Sequence, residues 1–124
     1  MQKLSADLQA QLSSVTWSPP LPGPREGQRL TIANLSGSAD AAVIAQQALH
    51  HRKAFSVMVI ICANALDASR LQEEIPVFAP NLSVRLLPDW EILPYDAFSP
   101  HQDLVSERLA TLHELSIGAC DIAL

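Results

Sequence analysis

A turn of small residues, Asn34-Leu35-Ser36-Gly37-Ser38-Ala39-Asp40-Ala41, stands where a strand-like run gives way to a helix-like one. That is the setting of a phosphate-binding loop of the pattern Gly-x-x-x-x-Gly-Lys-Ser/Thr. Its glycines let backbone amides wrap the phosphates, its lysine reaches the outer phosphates and its hydroxyl holds magnesium. Laid on that pattern, Asn34 and Ala39 take the two glycine places, with Gly37 between them; Asp40 replaces the lysine and Ala41 the hydroxyl. A lysine about 4 Å from a phosphate oxygen contributes about 4 kcal/mol at an effective dielectric of about 20, and a carboxylate there repels by a similar amount. The loop is therefore predicted to bind no nucleotide and to act as a plain strand-to-helix turn, with Ser36 or Ser38 as its N-cap.

The other chemistry-bearing stretch runs from Leu87 to His101. It crowds Trp90, Tyr95, Phe98, three prolines, Asp89, Glu91, Asp96 and His101 into an irregular segment. Val84 to Glu91 has the outline of an apolar strand ending in a magnesium-binding acid, but Pro88 breaks the strand before Asp89. A solvated acidic loop is the better reading. The aromatics fit either a loop folded onto a sheet or a surface for a protein partner, and Trp90 with Tyr95 could also stack single-stranded DNA. His50 and His51 are neighbours, which a helix turns about 100° apart, so they do not chelate. No nucleophile stands with a base and an orienting acid, and Cys62 and Cys120 read as two buried thiols. No catalytic residue, metal site or cofactor is expected.

The same segment carries a resemblance. The pattern Asp-Trp-Glu-x-Leu-Pro-Tyr-Asp-x-Phe-Ser-Pro-His-Gln-Asp, followed by Ser-x-Arg-Leu-x-x-Leu, is matched by Asp89 through Asp103 and by Ser106, Arg108, Leu109 and Leu112. It closely resembles the N-terminal region of the bacterial transcription-repair coupling factors, with looser similarity from about residue 28 to 124. The resemblance implies a domain like the first ATPase lobe of the excinuclease B protein, without its ATPase function. It also implies a protein-interaction role in the module that links removal of stalled RNA polymerase to nucleotide-excision repair. The implied partners are other domains of the same protein, the excinuclease A protein through the adjoining domain, and RNA polymerase and DNA through domains outside these residues. The ATP-driven motor of such proteins lies elsewhere. Asp89, Trp90, Glu91, Tyr95, Asp96, Phe98, Ser99, His101 and Arg108 become the family motif and a candidate partner surface. The rival reading is a small nucleotide-binding enzyme with an unconventional phosphate loop.

Composition agrees with a protein partner more than with nucleic acid. The 124 residues carry a net charge of −5, with 48% hydrophobic and 17% charged residues. The eight lysines and arginines are scattered, so phosphate neutralisation, which dominates affinity for DNA, is weak here. The chain opens on no basic-then-apolar leader, and its longest strongly apolar run, residues 57–63, is too short to span a bilayer. A cytoplasmic location is expected.

Positioning these residues requires alternating strands and helices. Residues 1–28 divide into a weakly helical start and a proline-rich connector holding Pro19, Pro20, Pro22 and Pro24. Residues 29–124 form the globular part. Strands are predicted at 30–35, 55–62, 83–87 and 120–124. Helices are predicted at 39–51, at 64–78 with Asn64 as cap, and after Pro100, capped by Ser99 with Gln102 reaching back. Leu104, Val105, Leu109, Leu112 and Leu115 form the predicted apolar stripe of the last helix. Such alternation implies a three-layer α/β domain, a parallel sheet with helices on both faces like a degenerate helicase lobe. The chain stops inside an apolar run at Leu124, which suggests a fragment of a longer protein.

Overall fold

The computed structural model describes residues 27–53, 56–90 and 101–124. The expected N-terminal helix and proline-rich connector lie outside them. So does Phe55, and so do motif residues Glu91, Tyr95, Asp96, Phe98 and Ser99. Within them the order is α1 (Ala39–His51), β1 (Met58–Val59), α2 (Ala65–Phe78), β2 (Val84–Arg85), α3 (Gln102–Ser116) and β3 (Ile122–Ala123). The strands make one parallel sheet in the order β1-β3-β2, with Ile122 opposite both Met58 and Val84. Sequence alternation thus gives an α/β fold with a small open sheet, since parallel strands need a helical crossover between them.

α1 is built from alanine, the best helix former, and its alanines also face inward. Ala41, Ala45 and Ala48 recur at helical spacing and are buried. They join Leu71 and Ile75 of α2, Leu82, Val84 and Ile122 in one core. Side chains this small let α1 sit close against α2. α2 begins as expected at Asn64, whose Oδ1 accepts from the Asp67 amide at 2.9 Å while its Nδ2 donates to Asp67 Oδ2 at 3.0 Å. The first bond satisfies one backbone amide of the helix end, and the second ties the two side chains together. α2 ends at Phe78, two residues past Pro76, and Ala79 closes it by donating to the Ile75 carbonyl at 3.0 Å.

Three expectations are corrected. Residues 30–35 are not a strand among the described residues: Asn34 has φ 60°, and Leu30, Ile32 and Leu35 stay exposed. β-branched composition favours an extended chain, but a strand exists only where a neighbour supplies its ladder. The cap of α3 is not Ser99. The helix starts at Gln102 with His101 extended before it, and His101 Nδ1 accepts from the Asp103 amide at 3.4 Å. Finally, the predicted leucine stripe of α3 is not its buried face. Leu109 and Leu112 are exposed, and the buried residue is Thr111. With Leu104, Arg108 and Leu115 at spacings of three or four, Thr111 defines a face turned toward the chain leaving β2.

Candidate functional site

Ser36 to Ala41 form the turn into α1. Gly37 has φ 59°, in the left-handed region that costs glycine little. Ser38 holds the N-cap position without a side-chain cap bond; the Ser36 carbonyl accepts from the Ala39 amide at 3.2 Å and the Ser38 carbonyl from the Ala42 amide at 3.1 Å. The side chain that matters is Asp40. Its two oxygens accept from Arg70 of α2, Oδ1 from Nη1 at 3.1 Å and Oδ2 from Nη2 at 2.6 Å. This two-toothed geometry is the strong form of a carboxylate–guanidinium pair. Arg70 Nη1 also donates to Glu74 Oε2 at 2.8 Å, one helical turn along.

The electrostatics follow from that arrangement. The Arg70 hydrogen bonds hold the Asp40 carboxyl below its usual range, against a smaller opposing effect of burial, and Arg70 is raised in turn. Both partners are more firmly charged because they are paired. Burial pushes the half-buried Cys62 thiol up, and Asp67 adds to the rise. The Arg70 cation beside the turn is thus matched by two carboxylates. Sequence reading found Asp40 but missed Arg70; the Arg70–Glu74 spacing was visible, the thirty-residue reach to Asp40 was not.

The second locus gathers the described part of the aromatic motif. Arg108 of α3 lies over the Trp90 ring, its guanidinium carbon 4.5 Å from the centroid, and Arg108 also donates to the Pro88 carbonyl. Asp89 Oδ1 accepts from the Trp90 amide at 2.8 Å, so this acid is turned back on its own chain. Thr111 Oγ1 donates to the Leu86 carbonyl at 2.8 Å, and Arg85 pairs with Glu114. A ladder of side chains from 108 to 114 therefore fixes α3 along the exit from β2. His101 meets Asp103 rather than Trp90, at 3.3 Å in an exposed position. Of the motif residues, Trp90 and Arg108 come together and Asp89 lies beside them; His101 does not join them. Among the described residues, no group of three or more His, Cys, Asp or Glu could hold a metal ion. No described helix is long and apolar enough to cross a membrane.

Comparison with known proteins gives the locus its context. The chain is 41% identical over 91 residues, 73% of its length, to the transcription-repair-coupling factor of Escherichia coli strain K12. It is 36% identical over 84 residues, 68% of its length, to the transcription-repair-coupling factor of Haemophilus influenzae. Over that stretch the chain belongs to the transcription-repair-coupling factor family. No family model matches it. The chain spans 8% and 7% of the length of these two coupling factors, so their other parts have no counterpart in these residues.

Proposed function

We propose that this chain is a non-catalytic segment from the N-terminal part of a coupling factor, acting through protein contacts in the module that joins removal of stalled RNA polymerase to excision repair. In this reading residues 29–124 form a helicase-lobe-like layer structure, preceded by a connector in 1–28. Its partners are other domains of the same polypeptide and, through the adjoining domain, the excinuclease A protein. RNA polymerase and DNA are engaged elsewhere, by the motor and polymerase-binding parts, and the location is cytoplasmic. Trp90 and Arg108, with the rest of the motif at Glu91, Tyr95, Asp96, Phe98, Ser99 and His101, form a candidate contact surface.

One observation carries the non-catalytic part: Asp40 stands where a phosphate loop needs its lysine, and it holds Arg70 at 2.6 and 3.1 Å. A triphosphate approaching the turn meets a guanidinium already matched by Asp40 and Glu74. Repulsion from the excess carboxylate opposes binding, and position 40 offers no lysine to offset it. Isothermal titration with ATP and magnesium tests this. No saturable heat up to millimolar nucleotide is expected. Micromolar binding that disappears in Asp40→Ala would overturn the proposal in favour of a nucleotide-binding enzyme.

A further inference from the structure

We draw no further inference here: the strongest candidate, the apolar outer face of α3 formed by half-buried Val105 with exposed Leu109 and Leu112, carries nothing because nothing in the structure shows what covers it.

Discussion

Replacing Thr111 with Val tests how the aromatic motif is held to the sheet. Thr111 is 3% exposed, and its hydroxyl donates to the Leu86 carbonyl at 2.8 Å, on the strand exit that leads to Pro88, Asp89 and Trp90. Valine keeps the shape and the one methyl group, puts a second methyl in place of the hydroxyl, and leaves that carbonyl without its donor. The cost of orphaning such an acceptor is about 1–3 kcal/mol. Half-buried Leu86 allows water to recover part of it, so about 1–2 kcal/mol is expected. Thr111→Ser keeps the hydroxyl and removes one methyl, at about 1 kcal/mol or less. Thr111→Ala loses both, at about 2–3 kcal/mol. Urea unfolding followed by circular dichroism reads the series. With a slope of about 1.5 kcal/mol per molar urea, Thr111→Val should lower the midpoint by roughly 1 M. Wild-type stability in Thr111→Val, together with a loss in Thr111→Ser, would refute the reasoning, because packing and not the hydrogen bond would then hold α3.

Three further outcomes are expected. Ile75, fully buried in α2, should cost about 2–5 kcal/mol when replaced by Ala in the same urea assay, through lost burial and the cavity left behind. Asp40 has a depressed carboxyl pKa when folded, so its stabilising effect is fully present above the unfolded value near about 4 and is lost as pH falls through the lower folded value. The stability gap between wild type and Asp40→Asn should therefore close as pH drops from about 5 toward 2, and a gap that widens would contradict the assigned pairing. Asn64→Ala removes a side-chain cap and should cost about 1 kcal/mol, seen as a lower midpoint and faster amide exchange in the first turn of α2.

The parts of the fold that were legible in the sequence are those whose causes are local. α2 is the clearest case, because the Asn64 cap and the helical spacing of Leu71, Ile75 and Phe78 all act within one helix. α1 is similar, since alanine favours helix wherever it stands. The run 30–35 was misread because extended composition says nothing about whether a neighbour exists. The buried face of α3 was misread because its partner is the polar exit of β2. A threonine, an arginine and a glutamate serve that exit better than the leucines that periodicity selected. At the candidate site, Asp40 was readable from one position. The second half of that site, Arg70, was set by packing of α1 on α2, and no spacing in the chain announces it.

The Asp40–Arg70 contact also makes nucleotide binding hard to acquire by single steps. A lysine at position 40 alone would face the Arg70 guanidinium across a contact now 2.6 Å long, setting two cations together where one ion pair stood. Replacing Arg70 first would instead leave Asp40 without its partner beside Glu74. Either first step gives up a favourable contact, so a change at one of positions 40 and 70 alters what is tolerated at the other.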